Sequence, residues 1–306
     1  MGLLDGKVAI VTGGGRGLGR AHCLALAEAG ATVVVNDLGS GLHGEQVGES
    51  PADEVVAEIT KLGGRAVANH CSVADWQATE ALVRDTVAEF GRLDVVVNNA
   101  GIIRDKMIFS MTEEDLDAVL AVHLKGSFAL TRHACAHWRE ASKRGERVAG
   151  RIINTTSGTG LFGQIGQANY GAAKAGIANL TTITAMEMRR YGVTANAVSP
   201  IAATRMTAQL LGDGAAKDSP EGFDPLDPAN VSGVVVYLAS DASGWLTGQV
   251  LRIDGDKLNR MQSWTISATH HSRSGGAVTA EELVEVMPQM YGAAPTGRPI
   301  GLLPAK

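Results

Sequence analysis

Short, almost unbroken apolar runs alternate with longer amphipathic stretches through most of this chain, and no other feature limits its fold so strongly. Lys7 to Thr12, Thr32 to Asp37, Ala66 to His70, Leu93 to Asn98, Arg151 to Thr156, Val193 to Ser199 and Gln249 to Asp254 read as strands. Gly17 to Gly30, Asp53 to Leu62, Trp76 to Phe90, Glu113 to Glu140, Ala168 to Arg190 and Pro228 to Ser240 read as helices. Side chains along a strand point alternately to opposite faces, so a strand apolar at successive positions is buried on both. Helices lying between such strands then have to cover both faces. The expected architecture is α/β, a doubly wound parallel sheet in a single domain.

Composition agrees with a globular enzyme and removes several alternatives. With 306 residues, 45% apolar and 19% charged, the chain is able to bury a large core. A formal charge of −5, without blocks of Lys or Arg, argues against a nucleic-acid partner or an anionic membrane surface. No apolar run nears the roughly 20 residues that a membrane span requires. Met1 to Lys7 lacks the layout of a signal peptide, and Pro304-Ala305-Lys306 is not a Ser-Lys-Leu type address, so a cytoplasmic location is expected. Cys23, Cys71 and Cys135 are widely spaced and form no metal motif. They are expected to be reduced, buried thiols, and no metal is expected.

Three regions break the alternation: a polar, Gly-rich loop from Gly39 to Pro51, a basic linker from Ser142 to Gly150, and everything after Gly255. Residues 1–255 are expected to form the sheet domain and 256–306 an extension. The extension holds one expected helix, Ala280 to Met290, with Thr279 as its cap and Glu282 completing a capping box. Such a tail is able to cover a pocket or a neighbouring subunit.

The first strand-to-helix junction reads Thr12-Gly13-Gly14-Gly15-Arg16-Gly17-Leu18-Gly19. Glycines there let the backbone approach a dinucleotide, and the helix N-terminus favours its pyrophosphate. Gly13, Arg16, Gly17, Leu18 and Gly19 are therefore candidate cofactor contacts. Asp37 closes the second strand, where a carboxylate accepts hydrogen bonds from the adenosine ribose and repels a 2′-phosphate. That favours NAD over NADP. Arg16 is the counterargument, because a basic residue in the turn is able to reach a 2′-phosphate. Asn98-Asn99-Ala100-Gly101 follows the fourth strand, at a switch-point loop that lines the ligand crevice and is able to tie strand ends together.

Tyr170 and Lys174 lie four apart in a helical segment, hence on one face. A free tyrosine titrates near pH 10, and bringing it near 7 takes roughly 4 kcal/mol. An ammonium about 4–5 Å away supplies on the order of 3–4 kcal/mol at an effective dielectric of about 20. Tyr170 is thus expected to serve as general base in alcohol oxidation and general acid in ketone reduction. Ser157 follows the fifth strand, placed to hydrogen-bond the reacting oxygen. No Gly-x-Ser-x-Gly elbow surrounds it, so it is not read as a nucleophile.

Taken together, Thr12-Gly13…Gly17-x-Gly19, Asn98-Asn99-Ala100-Gly101, Ser157 and Tyr170-Gly171-Ala172-Ala173-Lys174 resemble the short-chain dehydrogenase/reductase family over about residues 5–255. The resemblance implies a Rossmann-type sheet of seven parallel strands. It implies that Lys174 also binds the nicotinamide ribose, and that Asn99, Ala100, Gly101, Ser72, Val73, Pro200 and Thr204 border the cofactor. Ile201 stands where the family often has Gly, which puts Thr204 in doubt. His123, in Val122-His123-Leu124-Lys125-Gly126, occupies the place of the family's relay Asn. It either serves that relay, which uses mainly the backbone carbonyl, or is a packed core histidine.

A narrower resemblance rests on Val35-Asn36-Asp37-Leu38-Gly39, Gly101-Ile102-Ile103-Arg104-Asp105, Val122 to Phe128, Gly166-Gln167-Ala168-Asn169-Tyr170 and Arg205-Met206-Thr207. These segments are similar to the 3-hydroxyacyl-CoA dehydrogenase module of multifunctional β-oxidation enzymes, also described as a type 4 17β-hydroxysteroid dehydrogenase. The implied reaction is NAD-dependent oxidation of a secondary alcohol on an acyl-CoA or steroid-like substrate. Arg104, Lys106 and Arg205 would then either meet CoA phosphates or be ordinary surface charges, and Ile201 to Asp227 would form a substrate lid. The family resemblance also implies a homo-oligomer, a tetramer assembled through Glu113 to Glu140 and Ala168 to Arg190, or a dimer. Two rival functions stay open: an NADPH-dependent 3-oxoacyl-thioester reductase and an inactive nucleotide-binding scaffold. The intact Ser157, Tyr170 and Lys174 argue against the second.

Overall fold

The computed structural model describes residues 2–45, 50–203, 223–262 and 264–291. Seven parallel strands, β1 Val8–Thr12, β2 Thr32–Asn36, β3 Arg65–Asn69, β4 Val95–Asn98, β5 Arg151–Thr155, β6 Thr194–Ile201 and β7 Val250–Asp254, lie in the order β3-β2-β1-β4-β5-β6-β7. The chain runs outward from β1 through β2 to β3, then returns to place β4 on the other side of β1. The C-terminal ends of β1 and β4 therefore flank a crevice at the topological switch point.

The valine-rich strands form two cores because of the pleat. Ala9, Val11, Val33, Val35, Val95 and Val97 face one side, with Leu26 of α1 (Gly17–Glu28), Val55 of α2 (Pro51–Lys61) and Val235 of α8 (Ala229–Ala239). Ile10, Val34 and Val96 face the other, with Leu82 of α3 (Trp76–Phe90), Leu130 of α5 (Gly126–Lys143) and Ala185 of α7 (Ala168–Met188). All of these strand side chains are buried, which is what the unbroken apolar runs require.

The structure departs from the expected elements in three places. First, the sheet has an eighth strand, β8 (Lys257–Met261), antiparallel to β7 through a tight turn at Gly255-Asp256. Gly255 takes φ +57, the left-handed conformation that such turns favour. The extension after residue 255 thus contributes to the sheet as well as carrying a helix. Second, Glu113 to Glu140 is not one helix. It consists of α4 (Glu113–Leu120), a π-helical turn (Ala121–Lys125) and α5, and the wider turn belongs to the segment that carries His123 inward. Third, a short helix α6 (Gly158–Phe162) follows Ser157, where the sequence showed no periodicity.

The tail helix α9 spans Ala280–Tyr291, one residue beyond the expected end. Thr279 Oγ1 accepts from the Glu282 amide at 3.2 Å, but the capping box is not completed. The Glu282 carboxylate instead takes His270 Nε2 at 2.8 Å and the Arg273 amide at 2.9 Å, tying the preceding loop to the helix. Cys23 lies in the core as expected, whereas Cys71 and Cys135 are only half-buried.

Candidate active site

A cleft of about 640 Å³ opens at the switch point, and every residue expected at the site lines it except Thr204, which falls outside the described residues. Its floor is the turn from β1 into α1. A methyl on Gly13 would sit 2.8 Å from Ala100 Cα, and one on Gly15 2.6 Å from Pro51 Cβ, so side chains are excluded from the turn. Gly13 also takes φ +61. The N-terminus of α1 has no side-chain cap, which leaves its amides for an anionic ligand. Asp37 stands beside them at the end of β2. Its two carboxylate oxygens accept from the Gly15 amide at 2.9 Å and the Gly39 amide at 2.8 Å, locking the carboxylate to the glycine turn. Arg16 donates to Ser40 O at 3.3 Å, three residues beyond Asp37, and lines the same cleft.

The two asparagines after β4 fasten the crevice. Asn98 donates to Asn154 Oδ1 at 2.8 Å and Thr131 Oγ1 at 3.0 Å, joining β4 to β5. Asn99 donates to Thr12 O at 3.0 Å and Gly13 O at 3.2 Å, while Thr12 Oγ1 accepts from the amides of Asn99 and Ala100. The glycine turn is thereby fixed to the loop after β4.

Ser157, Tyr170 and Lys174 converge on the opposite wall. Ser157 is the N-cap of α6 and accepts from the Thr159 amide at 3.2 Å. Both Ser157 and Tyr170 line the cleft, and the Ser157 hydroxyl pulls the Tyr170 pKa down. Lys174 is 3% exposed, donates to Thr155 O at 2.7 Å, and holds its ammonium 5.6 Å from the centre of the Tyr170 ring. The electrostatics differ from the sequence expectation. Burial pushes the Tyr170 hydroxyl up to about 12, against the opposing pull of the Ser157 hydroxyl, and pushes Lys174 down to about 7. Lys174 alone therefore does not hold Tyr170 near neutrality, because desolvation acts on both partners.

His123 is 1% exposed and stands edge-on to Tyr170, with ring centres 5.1 Å apart. Nε2 lies 2.8 Å from Ile102 O and 3.1 Å from Ile102 N, while buried Nδ1 has no partner. Burial first, then the Lys174 charge, lowers it to about 3, so the ring is neutral. It is both packed and polar, and it closes off the space beside Gly101. Thr155 was not anticipated. Its Oγ1 is buried without a partner in the cleft wall, and the only signal in the sequence was a hydroxyl residue at the C-terminal end of a strand. These two orphaned polar atoms, together with the glycine cradle and the Asp37 carboxylate, fit a dinucleotide and a polar reacting group. Of the basic residues, Arg104 lines the cleft and donates to His43 O and Glu114 O, Lys106 pairs with Asp115 at 2.6 Å, and Arg205 lies outside the described residues, as does most of the expected lid.

Such a cradle, facing a Ser–Tyr–Lys group across a switch-point crevice, defines a nucleotide-dependent oxidoreductase. The chain belongs to the short-chain dehydrogenase family, whose model matches residues 7–213. Members are oxidoreductases that act on CH–OH groups and bind NAD(P). The chain is 48% identical to the hydroxyacyl-CoA dehydrogenase ChsB1 of Mycobacterium tuberculosis, over 83% of this chain and 79% of that one. It is 45% identical to the peroxisomal multifunctional enzyme type 2 of Mus musculus, over 78% of this chain but 30% of that longer protein. A crystal structure of a short chain dehydrogenase from Mycobacterium avium superposes with a TM-score of 0.86 at 49% identity, covering 99% of this chain and 100% of that one. No described helix is long and apolar enough to cross a membrane.

Proposed function

We propose that this chain oxidises the secondary alcohol of a 3-hydroxyacyl thioester, with NAD as its cofactor and Ser157, Tyr170 and Lys174 as its catalytic residues. The observation that carries the reading is the gathering of Ser157, Tyr170 and Lys174 in one cleft with the glycine cradle, the Lys174 ammonium lying 5.6 Å from the centre of the Tyr170 ring. The similarity to a hydroxyacyl-CoA dehydrogenase supports the thioester. A hydroxysteroid alcohol is the second substrate reading, resting on the narrower sequence resemblance alone.

Ser157 holds the substrate oxygen by hydrogen bond and Tyr170 takes its proton in oxidation, or returns one in reduction. Lys174 is anchored to Thr155 O, so its charge has a fixed place relative to the phenol. Lowering Tyr170 from about 12 to 7 requires about 7 kcal/mol. A protonated Lys174 about 5 Å away supplies roughly 3 kcal/mol. When bound, the nicotinamide supplies the hydride acceptor or donor. His123 is a neutral neighbour of Tyr170 whose free Nδ1 is suited to accept from a water in the relay.

Asp37 supports NAD over NADP, because its carboxylate is held at the ribose end of the cradle. We also infer a cytoplasmic homotetramer in which α5 and α7 meet their counterparts. The test is NADH formation from 3-hydroxyacyl-CoAs and from hydroxysteroids, with NAD and NADP compared. A tenfold or greater preference for NADP would overturn the Asp37 reading. Turnover of hydroxysteroids alone would overturn the thioester reading.

A further inference from the structure

The helix α6 (Gly158–Phe162) is five residues long, too short to hold itself in water, so its place depends on what it packs against. That place matters because Ser157 is its N-cap. Ser157 Oγ accepts from the Thr159 amide at 3.2 Å, so the direction of the hydroxyl follows wherever α6 carries that amide.

Two of the contacts that hold α6 come from α7 and the residue before it. A methyl on Gly160 would lie 2.6 Å from the carbonyl carbon of Lys174, so the helix rests directly on the turn that carries Lys174. Thr159 Oγ1 donates to Gln167 Oε1 at 2.9 Å. A third contact comes from the far side of the sheet. Arg252 stands in β7 between Leu251 and Ile253, which are buried in the core on the α1 side, so its side chain leaves the opposite face. It donates from Nη1 to Ser199 Oγ at 3.4 Å, Ser199 being its fully buried register partner in β6. The guanidinium then meets Gly158 and Phe162, which lie four apart and hence on one face of α6. Its Cζ is 5.8 Å from the centre of the Phe162 ring, and a methyl on Gly158 would lie 2.7 Å from Nη1.

Among the described residues Arg252 makes no ion pair, and it is not part of the cleft wall. Its charge is therefore not spent on a carboxylate. A planar, weakly hydrated guanidinium suits a slot between a hydroxyl and an aromatic ring, whereas a lysine ammonium does not. We propose that Arg252 is a positioning residue for the reaction. Wedged between Ser199 and the Gly158–Phe162 face, it presses α6 onto α7, so that the Thr159 amide aims the Ser157 hydroxyl at the reacting oxygen. The proposal deepens the oxidoreductase reading and rests on it for the role of Ser157.

The experiment is a double-mutant cycle of Arg252→Met with Ser157→Ala, because two residues that act through one another lose less together than the sum of their separate losses. Turnover of 3-hydroxybutyryl-CoA and, in parallel, of 2-octanol is measured together with NADH affinity and melting temperature. Arg252→Met is expected to lower kcat at least tenfold, with KM and the NADH Kd within threefold and melting changed little. In the Ser157→Ala background the same substitution is expected to change kcat less than twofold. Arg252→Lys is expected to lose at least fivefold, and it runs the same cycle where Arg252→Met does not fold. An equal loss in both backgrounds overturns the proposal, as does a loss that tracks melting or NADH affinity, or no loss at all. Full activity of Ser157→Ala alone overturns the Ser157 reading and the proposal with it. Turnover of neither substrate by the unaltered protein overturns both as well. Coupling seen with the alkanol, without turnover of the CoA ester, sinks the thioester reading and leaves the role of Arg252 standing.

Discussion

Tyr170 and Lys174 stand one helical turn apart, and burial moves them in opposite directions, up to about 12 and down to about 7. A hydroxyl that must lose its proton before it acts as a base gives alcohol oxidation a rate that rises with pH. Ketone reduction, which needs that proton, falls only once the pH passes the Tyr170 pKa. With Tyr170 near 12, kcat/KM for oxidation is expected to rise between pH 6 and 10, about tenfold per unit where Tyr170 limits it, while kcat/KM for reduction stays flat over the same range. Buried histidines give a second pH effect, on stability. His22 and His123 are lowered to about 4 and about 3, both chiefly by burial. Unfolded histidine binds a proton near 6.5, so the folded state binds fewer protons in the window below it. Stability is therefore full above pH 6.5 and is lost as pH falls toward 4, by about 2 kcal/mol for each histidine on going from pH 7 to 5. Urea unfolding of the cofactor-free protein across that range measures it, and His22→Gln is expected to reduce the slope, with His123, His133 and His137, also lowered chiefly by burial, keeping the rest. A flat profile would contradict the neutral assignment.

The elements were legible to very different degrees, for physical reasons. β1, β2 and β4 announced themselves because a strand buried on both faces needs apolar residues in succession, and Val95-Val96-Val97 leaves little else to fold into. β8 was illegible because it is an exposed edge. Lys257, Asn259 and Arg260 show no alternation, and only the turn at Gly255-Asp256 hinted at a hairpin. Its charges suit an edge, since they discourage pairing with another chain. Deleting the chain from residue 257 onward uncovers the edge of β7, and the expected result is aggregation or a melting temperature lower by several degrees. Unchanged melting and solubility would show that β8 protects nothing. The π-helical turn at Ala121–Lys125 was also hidden, because composition does not distinguish it from α-helix. The motif residues of the site were legible because glycine, hydroxyl and ammonium groups are required there by chemistry. Thr155 was not, since a threonine ending a strand ordinarily carries no such meaning.

For the molecule as a whole, the switch point determines where chemistry happens, and the covering helices determine what remains exposed. Met186, 68% exposed, and Ile183, 41% exposed, lie on α7, and Phe128, 47% exposed, on α5. These are the helices expected to meet other copies, so light scattering should give four chains per particle, and Met186→Glu should shift it toward smaller species. A monomer in the unaltered protein would contradict that arrangement. The central claim is that Ser157, Tyr170 and Lys174 carry out proton transfer beside a bound dinucleotide. Its most direct test is Tyr170→Phe, which removes one oxygen and keeps the ring. Turnover in both directions is expected to fall at least a thousandfold while NADH titration gives a Kd within about threefold of the unaltered protein. Retention of full activity in that variant would contradict the account.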